Sequence, residues 1–235
     1  MKIYVINPNT SDSMTDHLRE ALTAIKRPDT ELTVVGAARG PETIESAYDE
    51  AHAVPPTLER IAQANREGFD AAVIACFSDP GLEAAREIST IPVLGIEEAT
   101  LHVAAMLGAR FTVITPRKAR IASKIEHVHM RGMAHFLASV RSLDLSVADT
   151  DADPEGTKQR IFEVARAAKE QDGAEVILLG CAGMAGYAEE LERRLGVRVL
   201  DPAAVALKLA EALADLGLTH SKAGLYATPP EKPFK

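Results

Sequence analysis

The stretch Gly68–Pro80, GFDAAVIACFSDP, decides the fold of this chain. Its apolar run Ala71–Ala75 is the pattern of a short strand buried on both faces of a parallel sheet. The strand ends at Cys76, and a helical pattern follows the next turn, over Gly81–Ile88. Open α/β sheets carry their chemistry at the carboxyl ends of such strands. This stretch therefore predicts a functional cysteine at the edge of a parallel sheet.

A second stretch repeats this design. Gly173–Gly186, GAEVILLGCAGMAG, contains an apolar strand, then Cys181, then a turn of small residues before a helix predicted at Tyr187–Leu195. The two cysteines are the only ones in the chain. Cysteines can be no more than small buried hydrophobic residues. Their matched positions, each directly after an apolar strand, favour a functional role for both.

The remaining chain alternates strands with helices. Further strands are predicted at Lys2–Ile6, Glu31–Val35, Pro92–Ile96, Arg110–Ile114 and Val197–Leu200. Further helices are predicted at Ser11–Lys26, Thr57–Asn65, Thr100–Leu107 and Ala203–Leu216, with a polar loop at Gly36–Glu50 and a Pro- and Lys-rich tail at Gly217–Lys235. This alternation predicts an α/β fold with parallel sheets and right-handed crossovers.

Equal spacings indicate an internal duplication. Pro8 and Pro116 follow corresponding strands and lie 108 positions apart, and the two cysteines lie 105 apart. A duplication predicts two lobes related by a pseudo-twofold axis, each a small parallel sheet flanked by helices. We expect residues 1–97 plus 203–235 to form the first lobe, with the last helix crossing back onto it, and residues 98–202 to form the second. The active site would lie in the cleft between them.

Composition limits the possible partners. The chain has 235 residues, 46% of them hydrophobic, and a net charge of −8. Such a charge argues against nucleic acid or an anionic membrane surface as a partner, and no apolar run approaches a membrane span of about 20 residues. The chain begins directly with a strand, so no signal peptide is predicted. We expect a cytoplasmic protein with free thiols, a homo-oligomer that acts on a small molecule.

Two facing thiols are suited to moving a proton across a carbon atom. If one sulfur removes a proton while the other supplies one to the opposite face, the stereocentre inverts, and a racemase needs two near-equivalent groups for this. Each cysteine precedes a predicted helix, whose N-terminus would lower the thiol pKa. The carbon must lie beside a carbonyl, and the turns Phe77-Ser78-Asp79 and Ala182-Gly183-Met184 can donate backbone N–H groups to its enolate oxygen.

On these residues the chain resembles the Asp/Glu/hydantoin racemase superfamily, specifically the hydantoin and allantoin racemases. The matching stretches are VINPNT (5–10), GPETIESAYDE (40–50), IACFSDPGL (74–82), LLGCAGM (178–184) and THSKAGLYATP (219–229). The resemblance implies racemisation of a 5-substituted hydantoin, allantoin included, without a metal or organic cofactor. It implies that Cys76 and Cys181 are the acid/base residues. It also implies that Asn7, Thr115 and the turn after each cysteine hold the ring.

The chain departs from the pattern of this superfamily at two places. Asp201-Pro202 stands where Asp-Gly is common, which could alter one wall of the cleft. Phe77-Ser78 stands where aspartate and glutamate racemases have Asn-Thr, so an α-carboxylate substrate is less expected. The decarboxylase branch keeps only the second cysteine, and both are present here. An amino-acid racemase, a maleate isomerase-like enzyme and a two-lobed ligand-binding module with inert cysteines remain alternatives.

Other polar residues have simpler interpretations. His127 and His129 are two positions apart on a predicted helix and point to different faces, so no metal site is expected. Tyr48 and Asp49 lie in a loop long enough to be a lid, and a substrate role is one of two open interpretations. The acidic pair Glu97-Glu98 is predicted to be solvated.

Overall fold

Parallel strands in two separate sheets build the protein. The computed structural model describes residues 1–230 and 232, and across these residues the strands form two four-stranded sheets. The first sheet consists of β1 (Lys2–Asn7), β2 (Glu31–Gly36), β3 (Ala71–Ile74) and β4 (Val93–Gly95), in the order β2-β1-β3-β4. The second consists of β5 (Phe111–Thr115), β6 (Leu137–Ser142), β7 (Val176–Leu179) and β8 (Arg198–Leu200), in the order β6-β5-β7-β8.

Helices connect these strands and cover the sheets. In the first half they are α1 (Asp12–Ile25), α2 (Ala47–Arg66), α3 (Leu82–Ile88) and α4 (Ile96–Leu107). In the second half they are α5 (Ile121–Met130), α6 (Val147–Ala152), α7 (Pro154–Asp172), α8 (Ala188–Leu195) and α9 (Pro202–Asp215). None of the helices in the described part of the chain has the length and apolar composition that a membrane crossing needs.

The two sheets are copies of one plan, as the equal spacings predicted. Their strand orders correspond, and every pair of neighbouring strands is parallel. Ile74 is the last residue of β3 that pairs with β1, and Leu179 is the last residue of β7 that pairs with β5. Cys76 and Cys181 each follow two residues later. The α/β fold class with two sheets flanked by helices is therefore confirmed.

One predicted helix was much too short. The segment Thr57–Asn65 is only the second half of α2, which begins ten residues earlier and shortens the predicted polar loop. Ser46 and Asp49 start the helix with a reciprocal capping box, in which each side chain bonds to the other's backbone N–H. The sequence reading failed because Pro55 and Pro56 lie inside the helix, where proline usually ends one.

The sequence predicted no strand or helix bounds for the region between β5 and β7. This region contains β6, α5, α6 and α7. Strand β6 is an edge strand whose side chains are mostly half-buried, so it lacks the continuous apolar run of a buried strand. The duplication nevertheless requires such a strand, because β6 is the counterpart of β2. The predicted tail Gly217–Lys235 is described as turns and coil to residue 230, while residue 231 and residues 233–235 lie outside the described part.

Two helices join the sheets. Helix α9 follows the second sheet, packs against α4, and reaches back to β1, β3 and β4 of the first. Helix α4 follows the first sheet and also contacts β7 and β8 of the second. One hydrophobic cluster runs through both halves, from Val5 and Val73 to Val113 and Leu178. The division into lobes of residues 1–97 plus 203–235 and 98–202 stays our proposal.

Candidate active site

A cavity of about 60 Å³ lies where the carboxyl ends of β1 and β3 meet those of β5 and β7. Parallel strands place their polar carboxyl ends at one edge of each sheet, and here the two edges share one space. Seven residues that the sequence singled out line this cavity: Asn7, Cys76, Phe77, Ser78, Thr115, Cys181 and Ala182. The strand-end positions are therefore brought together as expected.

Three other predicted residues do not line the cavity. The carboxylate of Asp79 accepts hydrogen bonds from the backbone N–H groups of Glu97 and Glu98, at 2.9 and 2.8 Å, and so caps α4. Met184 is fully buried and packs in the core of the second half. Gly183 follows Cys181 in a buried turn. Asp79 and Met184 are therefore directed away from the cavity, while a Cβ at Gly183 would lie 3.7 Å from the Cys181 sulfur.

Asp79 takes this role because of its backbone. Its φ is +48°, a left-handed conformation that Asp adopts more readily than most residues and that turns its side chain towards α4. Gly95 makes room, because a Cβ atom there would lie 2.2 Å from the Asp79 Cγ. Burial raises the pKa of the Asp79 carboxyl and the Glu97 charge adds to the rise, while Arg131, 3.0 Å away, opposes it.

A second aspartate likewise caps a helix beside the turn of the other cysteine. Asp201 is the N-cap of α9, accepting from Ala203 N, and its other oxygen accepts from Gly186 N at 2.7 Å, at the end of the turn after Cys181. Pro202 occupies the first turn of α9, where its missing N–H is not needed. The Asp-Pro departure noted in the sequence therefore fits the helix start and does not change a wall of the cavity.

The two cysteines sit in turns of the same kind. The Cys76 carbonyl accepts from Asp79 N at 3.0 Å and the Cys181 carbonyl from Met184 N at 3.1 Å, and neither cysteine forms a disulfide. Glycine is required just before Cys181, because a Cβ at Gly180 would lie 2.6 Å from the carbonyl oxygen at the end of β5. The two turns are therefore closed by the same bond, from the N–H of the fourth residue to the cysteine carbonyl.

The Cys76 thiol differs from the sequence expectation. Burial raises its pKa to about 12, although the hydrogen bond to Ser78 Oγ, at 3.4 Å, and the charge of Lys124 both act to lower it. A helix N-terminus was expected to lower this pKa, but α3 begins only at Leu82. The dipole effect falls off within one turn, so the helix is too far along the chain to act.

Asn7 is fixed before any ligand arrives. Its amide nitrogen donates to Asn9 Oδ1 at 2.7 Å and to Thr15 Oγ1 at 3.0 Å, and its side chain is almost fully buried. Asn9 itself lines the cavity and was not singled out by the sequence, although it stands in the motif VINPNT. The end of β1 thus presents a preformed polar wall.

Charged residues close the cavity across the two halves. Glu45 pairs with Arg117 at 3.4 Å and accepts from Val147 N at 2.7 Å, and Glu50 pairs with Arg120. All five residues line the cavity, and the sequence reading did not identify them. Each link joins the segment before or within α2 to the second half, so the cavity mouth is bridged by ion pairs.

The two candidate lid residues lie beside this mouth without lining the cavity. The Tyr48 side chain is 74% exposed and packs edge-on against His52. Asp49 is committed to the capping box with Ser46. The acidic residues on either side of them, Glu45 and Glu50, take the cavity-facing positions.

A buried ion pair lies behind Cys76. Glu97 is fully buried and binds Lys124 Nζ at 3.0 Å and His127 Nδ1 at 2.9 Å, so the prediction of a solvated Glu97 is wrong. Burial acts to raise the pKa of Glu97, but the charges of Lys124 and His127 outweigh it and lower the pKa. The described residues contain no group of His, Cys, Asp and Glu that could hold a metal ion, and His129 lies exposed on another face of α5.

Comparison with known proteins identifies the family of this chain. A sequence model of the Asp/Glu/hydantoin racemase family matches residues 3–210. The chain belongs to this family. A hydantoin racemase of Pseudomonas sp. (strain NS671) is 43% identical over 235 residues, covering 100% of this chain and 94% of that protein. A hydantoin racemase of Paenarthrobacter aurescens is 38% identical over 237 residues, covering 100% of both chains.

The fold of this family member agrees with a solved racemase. The allantoin racemase from Klebsiella pneumoniae superposes with a TM-score of 0.97 at 37% sequence identity, covering 100% of this chain and 96% of that one. The chain is therefore a racemase, and racemases are isomerases.

Proposed function

We propose that this family member racemises 5-substituted hydantoins, allantoin included, by a two-base mechanism in which Cys76 and Cys181 are the acid and the base. The observation that carries the proposal is the shared cavity, which receives both cysteines from equivalent positions of duplicated sheets. The relatives that are named hydantoin and allantoin racemases, matched along the whole chain, support the substrate class.

The proton balance requires both sulfurs. The thiolate of one cysteine takes the hydrogen from C5 of the ring, and the electron pair of that C–H bond moves onto the adjacent carbonyl oxygen as an enolate. The other cysteine then gives its thiol proton to C5 from the opposite face, and the carbonyl forms again. The first cysteine is now the thiol and the second the thiolate, so the reverse reaction begins from the product. The carbonyl itself acidifies C5, and no metal or organic cofactor takes part.

The turns after the cysteines would stabilise the enolate. In a turn closed between its first and fourth residues, the central N–H groups are not used by the closing bond. Those central residues are Phe77 and Ser78 on one side and Ala182 and Gly183 on the other. An N–H donor aimed at a developing oxyanion lowers the rate-limiting barrier by about 3–4 kcal/mol.

Polar side chains at the strand ends would orient the ring. Asn7 and Thr115 end the central strands β1 and β5, beside the cysteines, and both are nearly fully buried. Both N–H groups of the Asn7 amide are used by Asn9 and Thr15, so its oxygen would accept from a ring N–H, and the Thr115 hydroxyl could donate to a ring C=O. Asp79 and Met184 act indirectly in this proposal, since they fix the two cysteine turns. The 5-substituent would point to the mouth, between Ile44 and Val147.

The test is a polarimetric screen of single enantiomers in buffer that contains a chelator. The panel comprises allantoin, alkyl and aryl hydantoins, free amino acids and maleate. We expect optical rotation to decay to zero from both enantiomers of at least one hydantoin, with no effect of the chelator. Activity on free amino acids or maleate alone would contradict the substrate class. If the protein turns over no compound of the panel, and a variant with both cysteines replaced by serine binds ligand as well as the parent does, a binding module would be favoured.

The cellular setting is also a proposal. Two cysteines without a disulfide suit a reducing compartment, and we place the protein in the cytoplasm. A homo-oligomer is our prediction for its state in solution. Light scattering coupled to size exclusion would test it, and a mass of one chain, 25.2 kDa, would contradict it.

A further inference from the structure

Lys124 crosses from the second half of the molecule to the turn that carries Cys76. It lies on α5, and its ammonium donates a hydrogen bond to the Phe77 carbonyl, on the residue directly after Cys76. The side chain is only 5% exposed, borders the cavity, and packs 5.3 Å from the centre of the Phe77 ring. A lysine is seldom buried in this way without a reason in function or in pairing.

The segment that follows the other cysteine has a different partner from the opposite half. Helix α1 of the first half is the counterpart of α5, since each follows the central strand β1 or β5 of its sheet. From α1, His17 Nε2 donates at 3.0 Å to the Ala185 carbonyl, one residue beyond the turn that Cys181 begins. Each cysteine segment is therefore contacted by a side chain from the opposite half, one residue after Cys76 and four residues after Cys181. A lysine ammonium contacts one cysteine turn, and an imidazole contacts the segment just after the other.

Lys124 is paired with a buried carboxylate. Glu97 of α4 binds its ammonium at 3.0 Å, and His127 of α5 binds the other oxygen of the same carboxylate. Glu50 of α2 faces the Cys76 thiol as well, but it is paired with Arg120. Among the charges that act on Cys76, Lys124 is the one that favours the thiolate, while Glu50 and Cys181 oppose it.

We propose that Lys124 is a positioning residue that stabilises the thiolate form of Cys76, so that the two cysteines of this duplicated site are electrostatically unequal. Burial of the thiol makes such a cation necessary, because a thiolate in a low-dielectric wall needs a compensating charge. The use of this inequality in catalysis rests on the proposed racemase function. The inequality itself does not, and it can be measured on the protein without substrate.

The experiment measures the iodoacetamide labelling rate of each thiol separately at fixed pH, because this rate follows the thiolate fraction, with thiolate ultraviolet absorbance as a second readout. Cys181→Ser isolates Cys76, and Cys76→Ser isolates Cys181. In the first background, Lys124→Gln keeps a donor for the Phe77 carbonyl but removes the charge. We expect it to raise the pKa of Cys76 by about one unit, with labelling about tenfold slower at a fixed pH below that pKa. In the second background, the pKa of Cys181 should stay unchanged.

Two further variants separate charge from packing. Glu97→Gln removes the compensating anion and should shift the pKa of Cys76 downward, opposite to the effect of Lys124→Gln. Lys169→Met is the matched control, because Lys169 also donates to a carbonyl, that of Leu195, at 2.8 Å and away from the cavity. It should leave both thiols unchanged. If Lys124→Gln does not fold, Glu97→Gln carries the test alone.

The outcomes test the role of Lys124 separately from the proposed racemase function. The role of Lys124 would be overturned if Lys124→Gln shifted the pKa of both thiols equally or left the pKa of Cys76 unchanged. It would also be overturned if Lys124→Gln and Glu97→Gln shifted the pKa of Cys76 in the same direction. A protein that racemises no hydantoin but shows the opposite shifts would retain this role and refute the function. In an active enzyme, the pH–rate profile of Lys124→Gln should also move to higher pH.

Discussion

Replacing Asp201 tests the idea that buried aspartates hold the cysteine turns. Asp201→Ala removes the N-cap of α9, at a cost of about 1 kcal/mol, and the charged hydrogen bond to Gly186 N, which contributes about 1 kcal/mol more. The expected loss is about 2 kcal/mol in the free energy of unfolding. In a chain of this length it corresponds to a fall in Tm of about 4–8 °C.

Asp201→Asn separates the two contributions. Its side-chain oxygen can still cap α9, but its amide group then faces the Gly186 N–H, so only the second bond is lost. We expect about half the loss of Asp201→Ala. The matched control is Asp153→Ala, since Asp153 caps α7 by accepting from Gly156 N at 3.0 Å, outside the cavity. This control should lose about 1 kcal/mol of stability and keep full activity.

Urea unfolding gives the stabilities, and the initial rate of racemisation gives the activity. Release of Gly186 loosens the turn that follows Cys181, so both Asp201 variants should lose kcat more than they change KM, on whichever hydantoin the screen selects. An Asp201→Asn protein as stable and as active as the parent would refute the reasoning. Equal kinetic effects of Asp201→Ala and Asp153→Ala would also refute it.

Two further predictions concern the tail and the cavity mouth. Burial, together with the Arg86 charge, lowers the pKa of His220 to about 4, and its Nε2 accepts from Val93 N at 2.7 Å. The unfolded state therefore binds the proton first, and stability should fall by about 1 kcal/mol, after allowance for solvent screening, as the pH falls from about 6.5 towards 4. His220→Gln should flatten this pH dependence in urea unfolding, and an unchanged slope would contradict it. At the mouth, a double-mutant cycle of Glu50→Gln and Arg120→Gln should give a coupling of about 1 kcal/mol, whereas additive effects would show that the ion pair does not link the halves.

The architecture was predictable because its signals are local and repeated. A short apolar run followed by a cysteine occurs twice, and each run proved to be a strand that ends just before its cysteine, Cys76 or Cys181. The spacing of the two copies survives in the sequence because the second half has kept the same order of strands. Periodicity along a chain records such features well.

The electrostatics of the site could not be predicted, because they depend on contacts between distant segments. Glu97 was expected to be solvated next to Glu98, but it is buried by Lys124, which arrives from a helix of the other half. The family resemblance implied that Asp79, in the turn after Cys76, helps to hold the ring. Its left-handed backbone turns it to the next helix instead, and nothing in the local pattern reports that angle.

The most direct test of the central claim is hydrogen exchange by single-cysteine variants in deuterated water. Inversion needs removal on one face and delivery on the other, so Cys76→Ser and Cys181→Ser should each abolish racemisation. The remaining cysteine should still exchange the C5 hydrogen of the one enantiomer whose C5 hydrogen points towards it. NMR follows this exchange, and circular dichroism should show no inversion. The two folded variants should therefore select opposite enantiomers of the same hydantoin. Racemisation at near the parent rate by either variant, or exchange of the same enantiomer by both, would contradict the paired roles of Cys76 and Cys181.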